Sequence, residues 1–338
     1  NAVEIFSRIN TSGKKLTIFE IMTALTYDEK TKFDLFEKYK DIKNKVEQRD
    51  FEIPNQHVVQ VVSAFVNKNC KPKDMLALRK NDIIPIWSKV EKSIEHTFDY
   101  FVQELKIPLG RLLPYTALIV PFAYFFYKNK NSPTQNQSKL LQEYFWKSVF
   151  SERFNQAVIS KLETDFKRMD LIVANKKPKY PGEFRFELKE GDLLWKKFST
   201  GNALNKGILA ILASLQPESF KNNTSVILNN SYMQQSNSKN YHHFFPKAFL
   251  ERKNIPNYNV VSNITLISAA DNQNIIKDKA PSKYMSDFAK KNSKLNKTMK
   301  GHLIGDFKKF GILDDDYTKF IEKRTKLIFE EIKNRVGA

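Results

Sequence analysis

The chain has 338 residues, 56 basic and 37 acidic, for a formal net charge of +19 and an isoelectric point near 9.6. That length buries a sizeable core and accommodates two or three modules, while the charge points to a nucleic-acid partner. A single cysteine, Cys70, excludes a disulfide framework and a cysteine zinc site and suits a reducing cytoplasm, where the protein is expected to reside.

At the front, Thr17 and Glu20 have capping-box spacing, and Leu16 and Ile21 fall at hydrophobic-staple positions, so a helix is predicted to begin at about Ile18. Gly13, in Asn10-Thr11-Ser12-Gly13, supplies a turn ahead of it. Ordinary helix caps explain this stretch on their own. Residues 2–22, Ala-Val-Glu-Ile-Phe-Ser-Arg-Ile-Asn-Thr-Ser-Gly-Lys-Lys-Leu-Thr-Ile-Phe-Glu-Ile-Met, also resemble the closing part of the ParB-like nucleotide-hydrolysing domain of GmrSD-type, modification-dependent restriction proteins. The resemblance implies that the Asn-x-x-Gly loop lies near a nucleotide pocket. The Asp-Gly-Gln-Gln-Arg motif of that domain is absent from this chain, which also lacks an initiator Met. Residues 1–30 are therefore expected to be the end of such a domain in a fragment whose front part is missing, and nucleotide hydrolysis is not assigned to it.

From about residue 30 to 225 the periodicity is mainly helical. The run Leu112 to Tyr127 is broken by Pro114 and Pro121 and is shorter than the roughly 20 residues a membrane span needs. It is expected to be a buried helix pair. The aromatic residues of Phe122–Tyr127 and Tyr144-Phe145-Trp146 read as helical core, with base stacking as the alternative. Residues Asn129 to Ser138 and Lys176 to Gly182 read as linkers. Leu204, Ile208, Ile211, Leu212 and Leu215 recur at helical spacing as one apolar stripe.

The segment 241–250, Tyr-His-His-Phe-Phe-Pro-Lys-Ala-Phe-Leu, contains two of the five histidines. It is followed by an apolar run from Val260 that includes Asn263, then by Asp271-Asn272-Gln273-Asn274 and Lys279-Ala280-Pro281. The order is strand, loop, strand, helix. A one-metal nuclease needs an imidazole to activate water, a nitrogen or oxygen ligand for a divalent cation, and a third polar group to complete the metal site. Successive strand residues point to opposite faces, so His242 and His243 cannot share one role on a regular strand. Asn263 offers an amide that can both donate and accept, which suits cross-bracing of a loop. Asn272, at the expected helix entrance, offers a neutral oxygen of the kind magnesium or manganese accepts. A histidine pair standing alone is an ordinary surface or core pair; the ordered polar residues downstream are what make this one a candidate site.

Residues 241–284 resemble the HNH (ββα-metal) nuclease domain at the C-terminal end of the GmrSD-type proteins: His-hydrophobic-x-Pro, Asn-x-x-Leu, then Asn followed by Lys-x-Pro-x-x-Tyr, ending at Tyr284. They are also similar to the HNH domain of RNA-guided CRISPR nucleases, where an acidic residue precedes the catalytic histidine; here His242 takes that place. Colicin-type HNH nucleases likewise open with two histidines. The resemblance implies His242 and Asn272 as metal ligands, His243 as general base and Asn263 as the residue holding the loop, with Asn274 in reserve should the helix start later. An imidazole ligand widens the choice of ion beyond magnesium and manganese toward later transition metals.

Residues 277–309 are rich in lysine, and Lys290, Lys294 and Lys297 fall at the spacing of one helical face. With Lys279 they are the candidate DNA-backbone contacts, against the alternative of a merely solvated face. Asp314-Asp315-Asp316 is read as the cap of a final helix, its charge complementing the helix dipole, rather than as a metal cluster.

The expected fold is mainly α, a multi-helix protein with a small ββα-metal unit near 239–285. The expected modules are the domain end at 1–30, a helical region at 31–200, and a nuclease domain with flanking helices at 201–338. The expected activity is metal-dependent hydrolysis of DNA, in a prokaryotic anti-phage system acting on modified DNA and with no membrane partner. The competing class is a non-catalytic nucleic-acid-binding subunit with a degenerate HNH site.

Overall fold

The computed structural model describes residues 16–229, 241–267 and 275–337. The protein is mainly helical, and the one sheet among the described residues has two strands. No described helix is long and apolar enough to cross a membrane. Two compact units divide the chain at Arg185 and Phe186, with residues 105–114 and 149–151 also packed into the second unit.

The first unit contains α1 (Ile18–Thr26), α2 (Leu35–Glu47), α3 (Asn55–Asn67), α4 (Trp87–Gln103), α5 (Ile119–Lys128), α6 (Gln135–Phe150, its end counted with the second unit) and α7 (Val158–Val173). Helix α1 begins where the capping-box spacing places it. The Thr17 hydroxyl accepts from the Glu20 amide at 3.2 Å, and the Glu20 carboxylate accepts from the Thr17 amide at 2.7 Å. The Asn10–Gly13 turn lies outside the described residues. Helix α5 is the hub: α3, α4 and α7 pack against it, and every residue from Ile119 to Phe125 is buried. A helix apolar all round can be stable only when it is enclosed in this way. The run from Leu112 to Tyr127 is therefore not a helix pair. Pro114 follows a single 3-10 turn (Gly110–Leu112), a second such turn covers Thr116–Leu118, and only then does α5 begin. Pro121 sits in the first turn of α5, where the missing N–H has no intrahelical partner to lose.

The second unit contains α8 (Ala203–Ser214), β1 (Tyr241–His243), α9 (Lys247–Arg252), β2 (Ile264–Leu266), α10 (Pro281–Ala289), α11 (Leu295–Gly301) and α12 (Tyr317–Val336). Leu204, Ile208, Ile211 and Leu212 are all buried on α8, as their spacing requires. Gly207 lets this helix approach the end of α6; a Cβ there would stand 2.6 Å from Val149 Cγ1. The strands run antiparallel, pairing Tyr241 with Leu266, His242 with Thr265 and His243 with Ile264. The connection between them holds the short helix α9 as well as a loop. Directly after β1, Phe244 and Phe245 plunge into a core shared with Tyr284, Phe288, Tyr317 and Phe320. Phe244 stacks on Phe320 with ring centroids 4.6 Å apart, and the Tyr284 hydroxyl donates to the Phe244 carbonyl at 2.5 Å. The position of β1 is thus set by its C-terminal neighbours, packed between α10 and α12.

Two aspartates of the acidic run act as caps. Asp316 accepts from the Lys319 amide at 3.0 Å at the start of α12. Asp315 takes the Ser282 amide and hydroxyl, each at 2.8 Å, in the first turn of α10.

Candidate metal and histidine site

His242 and His243 leave β1 into different surroundings. His242 is 4% exposed, and its Nε2 is buried without a hydrogen-bond partner among the described residues. Burial, with a smaller push from neighbouring His243, lowers its pKa to about 4. The ring is therefore neutral near pH 7, and it keeps a buried nitrogen unsatisfied at a cost of about 1–3 kcal/mol.

His243 is half-buried and held by Asn259, whose Oδ1 lies 3.1 Å from Nε2. The Asn259 amide nitrogen donates to the Phe198 carbonyl at 3.4 Å. Its oxygen therefore turns to the imidazole, and Nε2 must carry the proton. Nδ1 is left with the lone pair and has no hydrogen bond to a described residue, which is the condition a general base needs. Burial lowers the His243 pKa below its ordinary value; the Asn259 bond opposes this and Lys247 adds to it. Tyr258 packs edge-on against the ring at 5.8 Å.

Asn263 is fully buried and ties the loop with three hydrogen bonds. Its Oδ1 accepts from the Phe245 amide at 2.9 Å, and its Nδ2 donates to the carbonyls of Phe245 at 3.1 Å and Tyr258 at 2.9 Å. Its own carbonyl accepts from the Phe244 amide at 2.7 Å. The two residues after His243 are thus both tied to Asn263. Asn272 and the reserve Asn274 lie outside the described residues, and the first described α-helix after β2 starts at Pro281. Among the described residues no group of three or more His, Cys, Asp or Glu side chains is placed to hold a metal. A cation here would therefore depend on His242 and on neutral oxygen ligands, and the partnerless Nε2 of His242 fits that role.

Behind β2 runs a buried polar network that no spacing pattern had pointed to. His302 Nε2 donates to the Glu218 carbonyl at 2.8 Å, so its Nδ1 accepts from the Thr265 hydroxyl at 2.9 Å. Burial holds the His302 pKa near 4, and the Arg324 charge pushes the same way, against the Glu218 bond. Thr265 is the cross-strand partner of His242. His302 is one of only five histidines, and that scarcity was its sole signal. Asn259 carried none in a chain this rich in asparagine.

The lysines do not share one helical face. Lys290 closes α10 and Lys294 opens α11, because Asn292 is drawn inward between them. Its Nδ2 donates to the Phe220 carbonyl at 2.9 Å and its Oδ1 accepts from the Lys294 amide at 2.9 Å, which breaks the helix. Lys290, Lys294 and Lys297 remain exposed. Lys279 is partly neutralised by Asp287 at 3.6 Å.

No family model matches the chain. It is similar to an uncharacterized protein of Methanocaldococcus jannaschii, 28% identical over an alignment of 373 positions, gaps included, that covers 98% of this chain. The chain spans about 61% of the length of that relative.

Proposed function

We propose that this chain is a metal-dependent DNA endonuclease of the HNH type, part of a prokaryotic anti-phage restriction system acting on modified DNA in the cytoplasm. The observation that supports the reading is the division of labour on β1: among the described residues the buried Nε2 of His242 has no hydrogen-bond partner, while His243 is held through Nε2 by Asn259 and its Nδ1 bonds to no described residue. A bound divalent cation, magnesium or manganese, would supply the charge that offsets the developing negative charge on phosphate. His242 and Asn272 would hold it. His243 takes a proton from the water that attacks phosphorus, and the bond from phosphorus to the 3′ oxygen breaks. Asn259 orients the base, and Asn263 keeps the turn behind it in place. Lys279, Lys290, Lys294 and Lys297 would lie along the DNA backbone.

The test is nicking of supercoiled plasmid by the purified chain. Cleavage should require magnesium or manganese, stop in chelator, and fall by about two to four orders of magnitude in His243→Ala, the usual worth of a positioned base. DNA binding without metal-dependent nicking would favour the non-catalytic subunit, and nicking undiminished in His243→Ala would remove the base assignment.

A further inference from the structure

Arg324 is the anomaly of the second unit. Its side chain is wholly buried on α12, yet it forms no ion pair with any described carboxylate. The other wholly buried arginine among the described residues, Arg153, is ion-paired, 3.0 Å from Asp165 and 2.7 Å from Glu183. An uncompensated charge in a protein interior costs several kcal/mol, and burial pulls the Arg324 pKa down to about 9. Its Nε has no partner among the described residues. Packing alone does not explain an arginine here, since a methionine would fill a similar volume without that penalty.

What the guanidinium does is join two segments. Nη1 donates to the Ser262 carbonyl at 2.9 Å and Nη2 to the His302 carbonyl at 3.2 Å. The next residue on the same helix, Thr325, holds the Ser262 hydroxyl at 2.7 Å. Ser262 is therefore gripped through both its backbone and its side chain by consecutive residues of α12. It immediately precedes Asn263, which ties Phe244 and Phe245. His302 in turn holds Thr265, the strand partner of His242. We propose that Arg324 is a positioning residue for the histidine pair: one rigid fork ties the residue ahead of Asn263 to the backbone of His302, and through Asn263 and Thr265 it sets how His243 and His242 leave β1. A planar guanidinium can hold two carbonyls at once in fixed geometry, which a lysine cannot. The inference rests on the nuclease reading of this site.

The experiment uses the full chain and Arg324→Lys, which keeps the charge and loses the fork. Amide exchange should rise about tenfold or more at Phe244 and Phe245 while the amides of α7 stay unchanged. In plasmid cleavage kcat should fall about 10–100-fold with KM for DNA within twofold, because misplacing a catalytic group by about an ångström costs that much without touching binding. Unchanged exchange at Phe244 and Phe245 in the folded variant overturns the clamp, and a lowered melting temperature with kcat intact overturns its catalytic meaning. Should Arg324→Lys fail to fold, Thr325→Val removes only the hydroxyl tie; a smaller rise at the same two amides supports the clamp and no rise overturns it. A parent protein that cuts no DNA with any divalent metal would sink the nuclease reading instead, and the exchange result would still decide whether Arg324 holds the turn.

Discussion

Replacing Asn263 with alanine removes one side chain and strands three backbone groups: the Phe245 amide, the Phe245 carbonyl and the Tyr258 carbonyl. Each net hydrogen bond is worth about 1 kcal/mol, and a buried partner left unsatisfied costs about 1–3 kcal/mol. The three together should lower the stability of the second unit by about 3 kcal/mol. They should also raise exchange at Phe245 by about two orders of magnitude, since 1.4 kcal/mol is a factor of ten in the opening equilibrium. With two compact units in the chain, a single global melt would mix their transitions. The assay is therefore amide exchange across a urea series, followed on peptides of α12 for the second unit and of α5 for the first. The α12 peptides should lose their protection at lower urea in Asn263→Ala while the α5 peptides keep theirs. A loss below about 1 kcal/mol would refute the reasoning, because it would mean that water or a shifted turn satisfies all three groups as well as the amide does.

Acid should weaken the same unit. His242 and His302 have folded pKa values near 4, against 6.5 when unfolded. The unfolded chain therefore binds more protons between those values, so the stability these neutral rings contribute is complete above about pH 6.5 and is lost as the pH falls toward 4. Urea unfolding of the second unit across that range should show a slope of about two protons from these two rings, with a further share from His243, whose pKa burial also lowers; His302→Gln should reduce it by about one, and a flat profile would contradict the neutral assignments. Reversing Lys290, Lys294 and Lys297 to glutamate should weaken binding to every DNA sequence about equally. It should also make the slope of log affinity against log salt shallower by roughly 0.9 for each phosphate no longer neutralised. An unchanged slope in the salt titration would take these lysines off the DNA path.

Local signals were the legible ones. The cap at Thr17 forms as its spacing implies, and the acidic run caps the final helix through Asp316. The stripe on α8 is equally local. The two short strands were legible as elements, while the helix between them and the 3-10 turn that opens the second were not. What sequence spacing could not show is the long-range polar pairing. Asn292 reads as one more polar residue in a lysine-rich helix, yet it breaks that helix by reaching Phe220, 72 positions away. Asn259 acquires its role only when the backbone of Phe198 fixes its amide. Arg324 did leave a trace: with Thr325 it interrupts an otherwise apolar stripe of Phe320, Ile321, Ile328 and Ile332 on α12. A charged residue at a core position of an amphipathic helix is unexpected unless it has buried partners. Of the candidate site, the histidine pair and the bracing amide were readable in sequence. The hydrogen bond that sets the His243 tautomer and the support behind β2 were not.

Manganese titration into the chelator-stripped chain, followed by calorimetry, bears most directly on whether the histidine pair is a metal site. Binding should be measurable in the parent and weakened at least about tenfold in His242→Ala, the scale expected when a ligand is lost. It should be nearly unchanged in His96→Gln, whose ring lies in the first unit and outside this network. Equal affinity in the parent and His242→Ala would contradict the assignment of that partnerless nitrogen.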